Sequence, residues 1–307
     1  TPRQPGHPTG RAYRRNSAMS EQPPTGILNI NKPYGIPSMD VVRRVKHASG
    51  FKRVGHGGTL DPVATGVIPV CIGQATRMME YMLDGSKRYR TTITLGVTTD
   101  TYDSMGEITE TDDASHLTRE EVVSGLTHFL GEIQQVPPMY SALKKDGKRL
   151  YDLARQGIKV ERKPRPVVVH QIELTEWNPP EATVEVHCGR GFYMRSLAYD
   201  LGRALRCGGH LRTLVRLKAG AFTLNESLTL EEMEHSFADG AWTEHLHSPD
   251  VVLGSMRAII AGQRMQELIK NGRPIPSSVK IPPNEPEERC RVYGTDGSFL
   301  AIMKFDA

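Results

Sequence analysis

Apolar and polar positions repeat with two different periods along this chain, and the changes of period mark its elements. GILNIN (26–31) is a short apolar run that predicts a strand, followed by a KPYGIP loop. Ser38 is placed to cap a helix over 39–49, where Met39, Val42 and Val45 share a face and Gly50 ends the pattern. Residues 51–66, rich in glycine, read as loop; VIPVCIG then predicts a strand and 75–83 a short helix. Residues 89–95 alternate, with Tyr89, Thr91, Ile93 and Leu95 on one face and Arg90, Thr92 and Thr94 on the other. Thr118 and Glu121 form a capping box for a helix over 119–130, flanked by the staple pair Leu117 and Val122. Thr229 and Glu232 repeat that signature, with Leu228 and Met233. Strands are expected at 166–174 and 182–188, and a helix over 192–206 with Met194, Leu197, Leu201 and Leu205 in line. RVYGTDGSFLAIMKF reads as two strands around a turn. These elements predict a mixed α+β domain over 25–248 and a small, mostly β domain over 250–307. Residues 1–24, without periodicity, read as a disordered basic tail.

Composition narrows the class. The chain has 307 residues, 38% of them hydrophobic, enough for a real core. No stretch reaches the ~18 apolar residues of a membrane span. The net charge of +4 is all in the tail: Arg3, Arg11, Arg14 and Arg15 account for it, leaving 35 basic residues against 35 acidic. A nucleic-acid footprint in the folded part must therefore be a local patch. Residues 144–165 supply one, with nine Lys and Arg, including Lys144, Lys145, Lys148, Arg149 and Arg155, against three acids. By itself such a run is equally well read as a solvated face. Cys71, Cys188, Cys207 and Cys290 include no CxxC pair, so a zinc ribbon is not expected, and buried free thiols in a reducing cytoplasm are the simplest reading.

The segment GHGGTLDPVATG concentrates the candidate chemistry. Gly57 and Gly58 allow close backbone approach, and Pro62 biases Asp61 toward an extended conformation. A carboxylate there suits a nucleophile, a general base or a turn former. A metal site is not supported, because no second carboxylate or histidine pair stands nearby at ligand spacing.

The wider pattern resembles the TruB family of tRNA pseudouridine synthases. The resemblance is carried by LNINKPYGIPS, GHGGTLDPVATGVIPVCIGQATR, DGSKRYR, LGVTTDTYDSMGE, PPMYSALKKDGKRLYDLARQGI and HCGRGFYMRSLAYDLG, in family order over about 26–220. It implies isomerisation of the T-loop uridine (position 55) of tRNA to pseudouridine. It also implies the pseudouridine-synthase fold, a largely antiparallel mixed sheet flanked by helices, and a PUA-like C-terminal domain. The reaction breaks an N-glycosidic bond and forms a C–C bond to the same sugar carbon. It changes no oxidation state overall, so no cofactor is expected. Asp61 matches the family's catalytic aspartate, which acts on the sugar much as a retaining glycosidase carboxylate does. Attack on the sugar and proton removal toward a glycal stay open.

The target base must leave its RNA loop before any side chain reaches it. Tyr89 matches the tyrosine that stacks on the uracil, although on pattern alone it reads as an inward core residue. Arg195 matches the arginine paired with the aspartate; a buried cation there favours a charged carboxylate. His56, Tyr193 and Leu214 match substrate contacts, and the 144–165 segment matches a region lying against tRNA, where it would bind phosphates. Three positions depart from the family pattern: Gly57 where threonine is usual, Val215 where an arginine often stands, and Pro37 in place of threonine or serine. The implied protein is a cytoplasmic monomer acting on tRNA without a protein partner. A tRNA-folding chaperone and a guide-dependent subunit are the competing readings.

Overall fold

The computed structural model describes residues 24–141, 143–145, 147–158, 160–275 and 287–305; the expected tail falls outside them up to residue 23. The chain opens with β1 (Gly26–Lys32), α1 (Ser38–Ser49), β2 (Val54–His56), β3 (Ala64–Ile72), α2 (Met79–Asp84) and β4 (Lys87–Leu95). A ribbon of β5 (Val97–Thr99) and β6 (Ile108–Thr111), then α3 (Arg119–Thr127) and β7 (Gly131–Gln135), come next. The basic segment folds as β8 (Lys144–Lys145), β9 (Lys148–Arg149) and α4 (Leu150–Arg155). β10 (Arg165–Asn178), β11 (Glu181–Cys188), α5 (Met194–Ala204), β12 (Gly209–Ala219) and β13 (Phe222–Thr223) follow. The chain continues through α6 (Leu230–Asp239), β14 (Leu246–His247), β15 (Arg257–Ile260), α7 (Gln263–Lys270), β16 (Arg289–Tyr293) and β17 (Phe299–Lys304).

Ten strands form one sheet, ordered β14-β1-β3-β12-β4-β11-β10-β7, with β2 and β13 paired to β3 and β12. Every pairing in it is antiparallel except β3 with β12. That one parallel pairing places the loop before β3 beside the middle of β12 and against β4. The main core joins α1, α3, α5 and α6 to the sheet through residues such as Val42, Leu126, Leu197, Met233, Ile68 and Val186. A second cluster, with Val67, Cys71, Met82 and Phe222, packs α2 on the sheet. The small domain has its own sheet, β15-β16-β17, and core residues Ile259, Met265 and Val292.

Both capping boxes form as read. Thr118 accepts from the Glu121 N–H and Thr229 from the Glu232 N–H, each glutamate returning to the cap backbone. Gly50 ends α1 in the left-handed conformation, its N–H on the Lys46 carbonyl. Two readings of α1 are corrected. Pro37 occupies the cap position, while Ser38 is buried as the first helical residue. Its hydroxyl instead bonds both backbone groups of Leu60, at 2.8 and 2.9 Å. The buried face is Val41, Val42 and Val45, and Met39 is exposed. The expected 75–83 helix divides into a 3-10 turn (Gly73–Met78) and α2. All four cysteines are free and buried, and burial pushes the Cys71 and Cys188 thiols up to about 12. The Cys71 and Cys188 thiols therefore stay protonated at neutral pH.

Candidate active site

The loop 57–63 stands at the junction of β3, β12 and β4 and is tied down by contacts from β3, α1, β1 and β12. The Gly57 N–H bonds the Pro69 carbonyl at 2.9 Å, and Ser38 holds Leu60. Lys32, fully buried at the end of β1, donates to the carbonyls of Pro33 (2.9 Å), Ile36 (2.7 Å) and Pro62 (3.4 Å). Arg216, 2% exposed on β12, donates to the carbonyls of Val67 (2.6 Å), Gly58 (3.2 Å) and Thr59 (3.3 Å). Gly66 pairs with Arg216 at φ +99°, and a Cβ there would overlap the Arg216 backbone, so close approach of the two strands demands glycine.

Asp61 emerges from this frame with its side chain about one-third exposed, and its Oδ2 lies 2.8 Å from Arg195 Nη2. Arg195 is 4% exposed in the first turn of α5. It also donates to the carbonyls of Tyr140 (2.7 Å) and Thr101 (3.4 Å), and Nη1 is 3.7 Å from Asp103 Oδ2. Asp103 is buried, and its other oxygen accepts from Thr101 Oγ1 (2.7 Å) and the Met105 N–H (3.0 Å). One buried guanidinium thus touches two carboxylates, one fixed behind it and one open in front.

The open side is a cavity of about 320 Å³, lined by Asp61, Tyr89, Tyr193, Arg195, Leu214 and Arg216 among others. That volume is within the range of small-ligand sites. Tyr89 packs against the core and also lines the cavity, so the two meanings of its position coexist. Burial pushes its hydroxyl above the usual phenol range, while Arg216 beside it pulls the other way. Tyr193 is the cap residue of α5; its N–H bonds Gln135 Oε1 (2.8 Å) and its carbonyl accepts from Gln135 Nε2 (3.1 Å). Burial raises the Tyr193 hydroxyl as well.

His56 is not among the cavity's lining residues. It sits half-buried on β2, with its Nδ1 buried and unpartnered among the described residues. Burial and then the nearby charge of Arg216 lower its pKa, so the neutral ring is favoured. Just ahead of the basic segment, Ser141 and Leu143 line the cavity. Lys148 is exposed, and the exposed Arg155 lies over the Tyr151 ring at 5.7 Å. The side chains of Lys144, Lys145 and Arg149 fall outside the described part. The Gly57 departure has a packing cause: a Cβ on it would overlap Met82 Sδ of α2. Val215 lies beside Arg216, so the block that often carries two arginines keeps the one that is buried. Among the described residues no three His, Cys, Asp or Glu side chains stand together as a metal set.

Lys32, Lys87, Asp103 and Arg216 were missed by sequence reasoning. Lys87 lines the cavity and caps the end of α2 through the Met82, Leu83 and Gly85 carbonyls. The available signal was a cation ending or interrupting an apolar strand pattern, as in NINK and LVRL.

Residues 46–194 match the N-terminal domain of the TruB family of pseudouridylate synthases, and 195–260 match the tRNA pseudouridylate synthase B C-terminal domain. The chain belongs to the TruB family. Among its relatives, the tRNA pseudouridine synthase B of Dehalococcoides mccartyi is 46% identical over 279 residues, 91% of this chain and 92% of that protein. That of Symbiobacterium thermophilum is 47% identical over 264 residues, 85% and 86% of the two chains. The TruB fold is also seen in a solved Cbf5–Nop10–Gar1 complex, with a TM-score of 0.71 and 23% identity, covering 92% of this chain and 78% of that one.

Proposed function

We propose that the protein converts the T-loop uridine at position 55 of tRNA to pseudouridine, with Asp61 acting on the ribose of an everted nucleotide. The observation that carries this reading is the Arg195–Asp61 pair at 2.8 Å, opening on a cavity that Tyr89 also lines. The family membership and the tRNA-modifying relatives support the reaction and the substrate.

The mechanism follows from where the charges stand. Uridine's N1–C1′ bond breaks with its electrons going to the uracil, leaving electron deficiency on the sugar. A carboxylate held against the ribose either bonds C1′ or takes the C2′ proton, and Asp61 serves both routes from one position. The freed uracil turns and C5 bonds C1′, displacing the Asp61 oxygen on the first route or, on the second, as Asp61 returns the proton to C2′. The proton on C5 is then lost and N1 gains one. Atoms and charge balance with no external reagent. Arg195 keeps the carboxylate aimed, using contacts that are already made before substrate arrives, so no reorganisation is needed at reaction. Tyr89 supplies a flat face for the uracil, and Leu214 and Tyr193 close the base-binding wall. His56 contacts RNA beside the flipped nucleotide. Lys144, Lys145, Lys148, Arg149 and Arg155 bind phosphates and make affinity salt-dependent. The small domain is a PUA-like RNA-binding module, and the protein works as a cytoplasmic monomer without an obligatory partner.

The test is to incubate the protein alone with unmodified tRNA transcript and read position 55 by mass or primer extension. Conversion without added protein or guide RNA is expected. Binding with no product over hours would leave a tRNA-folding role instead.

A further inference from the structure

Behind Arg195 lies a turn, residues 99–106, that supplies two of its contacts: the Thr101 carbonyl and the Asp103 carboxylate. Between them stands Tyr102, at φ +63°. A bulky side chain in the left-handed region is a true outlier that persists only where surrounding contacts impose it. Here the contacts are visible. The Tyr102 ring stacks on Tyr199 of α5 with centroids 3.9 Å apart and planes inclined by 18°. Arg203, also on α5, lies over the Tyr199 ring at 5.8 Å and donates to its hydroxyl at 3.2 Å. The Tyr102 carbonyl accepts from the Leu211 N–H at 3.0 Å.

Arg195 and Tyr199 are four residues apart, on one face of α5. The helix therefore grips the turn twice. Arg195 bonds the residues on either side of Tyr102, and Tyr199 holds Tyr102 itself. The left-handed residue sits between a carbonyl and a carboxylate that both address Arg195.

We propose that the Tyr102–Tyr199 stack is a positioning pair for the reaction, fixing the 99–106 turn so that Thr101 and Asp103 hold Arg195 against Asp61. The pair acts through Arg195 and touches no reacting atom. The inference rests on the proposed function and adds to it two residues that lie within the quoted blocks but were given no role there.

The experiment compares parent, Tyr199→Ala, Tyr199→Phe and Tyr102→Asn in single-turnover conversion of saturating tRNA transcript, with tRNA affinity and thermal melting measured alongside. Asn tolerates the left-handed conformation but removes the ring, so Tyr102→Asn tests the stack if Tyr199→Ala does not fold. Tyr199→Ala and Tyr102→Asn are expected to slow the step about tenfold while tRNA affinity stays within about twofold. Tyr199→Phe, which keeps the stack, is expected to restore the parent rate. In an Asp103→Asn background, adding Tyr199→Ala should slow the reaction by less than about twofold further, because both act through the same arginine. Parent rates in Tyr199→Ala, a Tyr199→Phe defect as large as that of Ala, or full multiplication of the two defects would each overturn the proposal. A parent that converts no uridine would sink the proposed function instead. The clamp is then read from crystal structures of parent and Tyr199→Ala, where a displaced 99–106 turn supports it and an unmoved turn contradicts it.

Discussion

Buried cations stand in two settings at and beside the cavity, built differently. In one, Arg195 faces two carboxylates, Asp103 behind and Asp61 in front. In the other, Lys32, Lys87 and Arg216 donate chiefly to main-chain carbonyls. Burying a cation against carbonyls leaves much of its desolvation unrepaid, and both lysines are pushed down to about 8, burial being the main cause. Such groups hold a loop in place. A guanidinium between carboxylates instead aims an acid, its charge met by opposite charge rather than by carbonyl dipoles. The difference separates residues whose loss harms the reaction from those whose loss harms the fold.

Substitution at the two arginines should show that separation most sharply. Arg195→Met is expected to slow single-turnover conversion by roughly 10³-fold, about 4 kcal/mol of barrier, while tRNA affinity is largely kept. Arg216→Met removes three buried hydrogen bonds and is expected to cost about 3 kcal/mol of unfolding free energy in a denaturant titration. If the Arg216 variant were fully stable and merely slow, the distinction between the two settings would break down.

Lys32→Met should behave like Arg216→Met, at about 2–3 kcal/mol. Gly57→Ala is expected to cost about 1–3 kcal/mol by overpacking against Met82, and Met82→Ala in the same chain should recover part of the loss. Thermal melting of the single and double variants reads this directly.

The pH dependence sharpens the comparison further. Lys32 and Lys87 have folded pKa values of about 8, below the usual 10.5. Between about pH 8 and 10.5 the unfolded chain binds more protons, so these lysines make stability rise with pH, by up to about 1.4 kcal/mol per pH unit each. Below about pH 8 their burial penalty is fully present. Tyr89 and Tyr193, with raised pKa values, act in the opposite sense above about pH 10. Unfolding free energies from pH 7.5 to 9.5 should therefore climb more steeply in the parent than in Lys32→Met. Equal slopes would remove Lys32 from the explanation.

What was legible in the sequence was local or carried by contiguous motifs. The boxes at Thr118 and Thr229 need only four residues, and both formed. Asp61 and Arg195 could be found because each sits in a distinctive short block. β12, the strand joining the two halves of the sheet, was not foreseen, because its register shifts at 211–213 and 216–218 break the period of two. β15 was missed because it pairs in parallel with β16, its partners (Arg257 with Cys290, for example) far along the chain, and has no local signal of its own. Asp103 and Arg216 escaped for another reason. An acid or a cation in a strand or turn reads as surface, and only the assembled fold shows that each is buried against a partner. Ser38 belongs with them, since its partner Leu60 is distant in sequence.

The role of Asp61 is tested most directly by single-turnover conversion of unmodified tRNA transcript by purified Asp61→Asn, at protein concentrations that saturate binding. Asparagine keeps the shape of the side chain and removes its charge. No pseudouridine should form at position 55, while the variant still binds tRNA with parent affinity and melts near the parent temperature. Conversion at the parent rate would show that this carboxylate is not the group that acts on the ribose.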